Sequence, residues 1–269
     1  MPLTPTSEFL AAAAKLAIEF EPGDIERLGQ YLELLLKANE TTNLTAIREA
    51  GAAWMRHILD SLTLLPLLAD LPAGANVIDV GSGGGLPGIP LAIAMPHLKF
   101  TLLEATGKKA AFLKETVLAL NLANTRVIAE RAEKLAHDRG HKTASGRVDG
   151  HRESYDAVVA RAVGRLHVLA ELTVPFAKAP ATGAAERSAM VFLIKGQQAD
   201  SELVEAAPAL HLLKAIHETT IDTPTGRIIV LSKGAATPKV FPRRDGEPKR
   251  APLGVVQEKP LPSESAATA

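Results

Sequence analysis

Up to Leu68 the apolar positions recur with helical spacing, and from Asn76 onward they gather instead into short continuous runs. Residues 7–20 and 24–39 carry the first pattern, with Ile25, Leu28, Leu32 and Leu35 on one face of the second segment beside Tyr31, Leu36 and Ala38. A third helical segment, 50–68, carries Arg56, His57, Asp60 and Ser61 before Pro72 and Gly74 end it. The three predict a helical cap over 1–72. Apolar runs at 76–80, 99–104, 125–129, 156–160 and 189–195 then alternate with helical patterns at 88–94, 107–121, 165–177 and 198–206. Such alternation builds a parallel sheet covered on both faces.

After Pro208 the pattern changes, giving a strand near 211–221, a turn at Asp222-Thr223-Pro224-Thr225-Gly226 and a strand at 227–231. Two strands joined by so short a turn are antiparallel. The expectation is an α/β core over 73–236, with a mostly parallel seven-stranded sheet ending in an antiparallel hairpin, and a Pro-rich basic tail over 237–269. Residues 137–154 lack periodicity and read as an exposed loop. The last residues, 260–269, read as disordered.

Composition narrows the chemistry. A chain of 269 residues that is 46% hydrophobic can bury a large core, yet no apolar run reaches the roughly twenty residues of a membrane span. Met1-Pro2-Leu3-Thr4 lacks the charged start and apolar stretch of a secretory signal, so a cytoplasmic protein is expected, with no membrane partner. With no cysteine, disulfides, thiolate metal sites and cysteine nucleophiles are excluded. His137, His141 and His151 have no carboxylates at matching spacing, and no metal is expected. Thirty basic residues balance thirty acidic ones, so any contact with nucleic acid depends on local clusters.

The densest chemical signal is Val77-Ile78-Asp79-Val80-Gly81-Ser82-Gly83-Gly84-Gly85-Leu86-Pro87-Gly88, a strand, a glycine bend and a helix start. Gly83 to Gly88 also satisfies the dinucleotide pattern G-x-G-x-x-G, with Glu104 placed about twenty residues on as a ribose-binding acid. A nicotinamide-dependent oxidoreductase is therefore one reading. Asp79 just before Gly81-x-Gly83-x-Gly85 favours the other, S-adenosylmethionine, whose sulfonium and ammonium charges carboxylates attract. No Tyr-x-x-x-Lys dyad or hydride-transfer histidine supports the first.

Asn43-Leu44-Thr45, Arg56-His57-Ile58-Leu59-Asp60-Ser61, the run from Asp79 to Leu91, Arg161-Ala162 and Lys195-Gly196 occur in one order. Together they resemble the RsmG family, also called glucose-inhibited division protein B, over roughly residues 25–235. The resemblance implies a class I, Rossmann-like methyltransferase that uses S-adenosyl-L-methionine to methylate N7 of a guanine in bacterial small-subunit (16S) ribosomal RNA. It further implies that Gly81 and Leu86 contact the cofactor, that Ala132 and Glu133 meet its adenine, and that Arg161 lies at its reactive end. Asn43, Arg56 and His57 fall near the substrate in the same pattern. The segments 137–154 and 180–188 look inserted relative to compact members.

The residues themselves fit much of this. Gly83 and Gly85 complete the bend, and Glu104 at a strand end suits two ribose hydroxyls. Guanine N7 has an in-plane lone pair and no proton to remove, so no general base is expected, and Arg161 serves as a positioning group. It would donate to guanine O6 or a phosphate, or else shape the pocket in an ion pair with Asp79 or Glu133. Missing features disfavour other acceptors, since carbon-5 methylation usually needs a cysteine and exocyclic amines an Asn/Asp-Pro-Pro-aromatic loop where Val159-Ala160-Arg161-Ala162 stands.

Lys195 at a strand end is placed to reach phosphate, and Lys108, Lys109 and Lys114 share one helix. Between residues 239 and 250 of the tail, Lys239, Arg243, Arg244, Lys249 and Arg250 face only Asp245 and Glu247, which makes it the stronger candidate RNA contact. Its deletion is expected to weaken RNA binding and spare cofactor affinity. The expected partner is small-subunit ribosomal RNA or the small-subunit particle, and the chain is expected to be a monomer. A noncatalytic ribosome-assembly factor is the remaining alternative.

Overall fold

In the computed structural model, which describes residues 2–143, 146–161, 164–180 and 188–255, the helical N-terminal pattern becomes α1 (Ser7–Lys15), α2 (Asp24–Asn39) and a broken third segment. That segment is α3 (Ala50–Ala53), a π-helical turn over Trp54–Leu59, α4 (Asp60–Leu62) and α5 (Leu65–Leu68), where one continuous helix was expected. The wider π turn carries Arg56 and His57, and Ser61 Oγ donates to the His57 carbonyl at 2.6 Å. Apolar periodicity does not distinguish a π turn from an α turn.

The apolar runs form β1 (Asn76–Val80), β2 (Lys99–Leu103) and β3 (Thr125–Ile128), with α6 (Gly88–Ala94), α7 (Gly107–Ala119) and α8 (Ala132–Leu135) between and after them. Residues 137–154 are not the shapeless loop expected: β4 (Gly140–Thr143) and β5 (Gly146–Asp149) pair as a separate antiparallel hairpin. There follow β6 (Ala157–Arg161), α9 (Leu166–Thr173), β7 (Met190–Lys195), α10 (Ala199–Leu213), β8 (Ala215–Thr223), β9 (Gly226–Lys233) and α11 (Glu247–Arg250). The expected insert at 180–188 and the expected disordered end at 260–269 lie almost wholly outside the described residues.

Seven strands form one sheet in the order β3-β2-β1-β6-β7-β9-β8, parallel except where β9 pairs with β7 and β8. The chain order reverses between β1 and β6, which opens a crevice at their carboxyl ends, where ligands of open α/β sheets bind. Core packs on both faces. On one side Phe9, Leu28, Leu35, Trp54 and Ile58 of the helical cap join Val77, Ile89 and Phe100 in one continuous apolar cluster, so the cap is seated on the sheet. On the other, Ile78, Val158 and Leu193 pack with Leu169, Leu210 and Phe241. Among the described residues no helix is long and apolar enough to cross a membrane.

Pro208 does not end its helix. α10 runs through it to Leu213, and β8 starts at Ala215 instead of near 211. Burial of Ala206, Ala209, Leu210 and Leu213 offsets the one backbone hydrogen bond that proline forfeits. The tail, read from sequence only as a Pro-rich basic segment, packs back on the core. Arg152, nine-tenths buried, donates to the carbonyls of Ala136, Phe241, Thr237 and Pro238, and Gly254 lies so close to Pro208 that an added Cβ would sit 2.7 Å from its ring.

Candidate active site

β1 ends in the crevice, and the chain bends there through Gly81, Gly83 and Gly85 with φ of +75°, +56° and +98°. Side chains rarely adopt that conformation, and at Gly85 an added Cβ would also lie 2.4 Å from Ile89 Cδ1. The Ser82 carbonyl accepts the amides of Gly85 and Leu86 at 2.7 and 3.0 Å, which closes the bend. From the cap, the buried Tyr31 hydroxyl donates to the Gly84 carbonyl at 2.8 Å, and burial pushes its pKa up so that it stays a donor.

Asp79 lies behind this bend and does not line the cavity. It is fully buried, Oδ2 accepts the Gly88 amide at 3.0 Å, and Oδ1 has no partner among the described residues. Of the two roles the sequence leaves open for Asp79, attraction of a cationic donor and acceptance of amides from the glycine bend, the structure shows the second: its carboxylate holds the start of α6. Burial pushes its carboxyl up to about 7. A pKa raised on folding gives stability that is present below the ordinary value of 3.8 and lost as pH rises through about 7. The neutral isostere Asp79→Asn should therefore gain on the parent chain as pH rises from about 5 to 8, the difference in melting temperature widening by roughly 3–8 °C. Scanning calorimetry at several pH values checks this, and a constant difference would rule the ionisation out.

The crevice encloses a cavity of about 740 Å³, the size of a drug-like ligand site, whose lining includes Gly81, Gly83, Leu86, Glu104, Ala132, Glu133 and Arg161. Glu104 directly follows β2, with Oε2 accepting the Gly83 amide at 2.9 Å and Oε1 the Thr106 amide at 2.7 Å. A carboxylate has about four lone-pair sites, so acceptor capacity remains for a diol. Ala132 opens α8, and Glu133 beside it accepts the Gly246 amide at 3.0 Å.

Arg161 ends β6 across from the glycine bend. Its Nη1 donates to the Arg56 carbonyl at 2.8 Å and to Asp60 Oδ2 at 3.0 Å, and its Nη2 meets His57 Nδ1 at 3.3 Å. The ion-pair partner is thus Asp60, not Asp79 or Glu133. Because guanidinium only donates, His57 Nδ1 accepts, and Nε2–H donates to Thr45 Oγ1 at 2.8 Å. Burial and the Arg161 charge hold His57 down at about 4, so its imidazole is neutral and no proton carrier near neutral pH. Asp60 Oδ1 also accepts from Thr225 Oγ1 in the β8–β9 turn, which ties cap, sheet and hairpin at one point.

Other predicted residues divide. Asn43 is exposed next to Leu44, which lines the cavity, and Arg56 is exposed on the π turn. Lys195 is not free for phosphate: its ammonium holds the Gly164 carbonyl at 2.6 Å and Glu202 at 2.7 Å. Nor is Arg243, whose Nε and Nη2 bind the buried Glu171 at 2.9 and 2.6 Å while Nη1 binds the Ala251 carbonyl. Arg244, Lys249 and Arg250 are exposed. The sequence did not reveal that Gly246, Pro248, Lys249 and Pro252 wall the same cavity, so the tail is no removable arm. Nor did it reveal Asp60 and Thr225 as the partners around Arg161; only the motif Arg56 to Ser61 pointed that way.

A glycine bend at the first strand, an acid at the end of the second and a hairpin that closes a parallel sheet define a class I S-adenosylmethionine-dependent methyltransferase. A cofactor-bound solved structure, Rv0187 from MTB, shares this fold at a TM-score of 0.51 and 18% identity, covering 87% of this chain and 99% of that one. Within that class the chain belongs to the rRNA small subunit methyltransferase G (GidB) family, which matches residues 24–228. Ribosomal RNA small subunit methyltransferase G of Sorangium cellulosum (strain So ce56) is 47% identical over 243 residues, covering 90% of this chain and 94% of that protein. The protein of the same description from Lactococcus lactis subsp. cremoris (strain MG1363) is 34% identical, covering 93% and 100%. The nicotinamide reading falls with that membership.

Proposed function

We propose that this chain methylates N7 of a guanine in small-subunit ribosomal RNA by direct in-line transfer, with Arg161 orienting the acceptor. S-adenosylmethionine, when bound, supplies an electrophilic methyl group on sulfur. The chain's own residues then have two tasks: to hold the reacting atoms in line, and to exclude other acceptors. The carrying observation is the state of Arg161. Three protein partners fix its guanidinium at the cavity, and among the described residues Nε–H and one Nη2–H remain unengaged. Those donors suit guanine O6 or a phosphate oxygen. Both ring nitrogens of His57 are engaged, by Arg161 and by Thr45, so it offers no free base, which suits an acceptor that needs no deprotonation.

Exposed Arg56, Arg244, Lys249 and Arg250, with Lys109 at the cavity, supply cations for an RNA backbone near the site. The substrate is the RNA alone or within the small-subunit particle, and the chain acts as a monomer in the cytoplasm. The test is transfer of labelled methyl to small subunits from cells lacking this chain, followed by mapping of N7-methylguanine through its alkali-labile glycosidic bond. Label at one guanine supports the proposal. Label elsewhere on the RNA overturns the N7 assignment, and no label overturns catalysis in favour of an assembly role.

Asp60 is a positioning residue in this reading. Asp60→Asn keeps the shape and the contact with Thr225 but removes the charge that aims Arg161. It should lower kcat about tenfold, about 1.4 kcal/mol, with affinity for S-adenosylhomocysteine within about twofold. Steady-state kinetics beside calorimetry separate the two, and an unchanged kcat would remove Asp60 from the mechanism.

A further inference from the structure

The C-terminal segment is built into the cavity wall by contacts that a solvated tail does not need. Gly246, Pro248, Lys249 and Pro252 share the cavity with Ala132 and Glu133, and the Gly246 amide donates to Glu133 Oε1 at 3.0 Å. On one side the segment is pinned by Arg243 on the fully buried Glu171; on the other Leu253 is buried and Gly254 abuts Pro208. Pro248 is buried as well, and the two prolines offer rigid apolar surface with little conformational entropy to lose.

We propose that residues 246–252 complete the adenine end of the cofactor site, so that adenosine binding and docking of this segment strengthen each other. The inference rests on the cofactor reading above, in which Ala132 and Glu133 face adenine. The geometry supplies the coupling. Glu133 touches the segment through Oε1 and the same cavity through its remaining surface, so an adenine that orders Glu133 also orders the chain hydrogen-bonded to it. Binding free energies that are linked in this way are reciprocal. The exposed Lys249 and Arg250 ride on this segment and Arg244 lies just before it, so cofactor loading also fixes cations that would meet RNA.

Two measurements test the proposal on the full chain and on one variant. Trypsin cuts after Arg244, Lys249 and Arg250, and saturating S-adenosylhomocysteine or adenosine should slow those cuts at least about tenfold, whereas methionine should not. Cuts elsewhere in the chain serve as the internal reference. A chain that stops after Arg244 keeps Phe241, Arg243 and the carbonyls on Arg152, and its dissociation constant for S-adenosylhomocysteine should rise at least about tenfold. Unchanged cutting in a chain that binds S-adenosylhomocysteine by calorimetry would overturn the inference, as would unchanged affinity in the folded, shortened chain. Protection by S-adenosylhomocysteine but not adenosine would move the segment to the other end of the cofactor and also overturn it. Failure of the intact chain to bind S-adenosylhomocysteine would instead defeat the cofactor reading itself.

Discussion

Arg161→Ala lowers single-turnover methyl transfer by about 100- to 1,000-fold, the range found when one preorganised donor to a developing charge is removed. The reason lies in how much structure is spent on aiming it. Cap, sheet and hairpin all converge on this guanidinium: Arg56 and His57 from the π turn, Asp60 from α4, and Thr225 behind Asp60. Stability also falls, because the substitution leaves Asp60 a poorly solvated carboxylate whose remaining partner is Thr225. That cost is on the order of 1–3 kcal/mol, or a few degrees for a chain of this size, far short of unfolding it. Arg161→Lys restores the charge but replaces a planar fork by a point donor, so at least about a tenfold deficit should persist. Turnover by Arg161→Ala equal to that of the parent chain would leave the proposed mechanism without its central group.

How far the sequence revealed this site depended on distance along the chain. The glycine bend was readable because strand, turn and helix start occupy neighbouring residues from Val77 to Gly88, where backbone sterics alone dictate glycine at Gly81, Gly83 and Gly85. The place of Glu104 at the cavity was readable from its regular spacing after that bend. Arg152 was not: among glycine, serine and aspartate it resembles a solvated cation, and only chain that returns 85 to 89 residues later buries it under the carbonyls of Thr237 and Phe241. Arg243 was misread for the same reason, its partner Glu171 lying 72 residues upstream. Pro208 misled differently. Local propensity gives a helix stop, yet the burial of Leu210 and Leu213 outweighs one missing hydrogen bond.

Local signals thus found the glycine-bend side of the cavity, while the groups that hold Arg161 and close the cavity come from long-range contacts. The Tyr31 hydroxyl on Gly84 makes the same point from the cap, since it joins positions 53 residues apart at the bend itself. A substitution in the cap is therefore able to disturb the cofactor cradle without touching a residue that lines it.

Glu104→Ala should have the largest effect on cofactor affinity, raising the dissociation constant for S-adenosylhomocysteine about 100-fold or more. Two losses add. Its carboxylate accepts the Gly83 amide at 2.9 Å and the Thr106 amide at 2.7 Å, so truncation frees the glycine bend and the start of α7 together. The same truncation removes the acceptor available to ribose hydroxyls at the end of β2. Hydrogen bonds to a charged group contribute about 1.5–3 kcal/mol each, and a loss of about 2.7 kcal/mol already corresponds to 100-fold. Glu104→Gln separates the two contributions. Its amide oxygen still accepts one backbone N–H, but its NH₂ opposes the other, so one site is lost where alanine loses all. Calorimetry should rank parent, glutamine and alanine in falling affinity, with the glutamine variant down about tenfold. Equal affinity for all three would mean that ribose is held elsewhere and that Glu104 merely staples the bend.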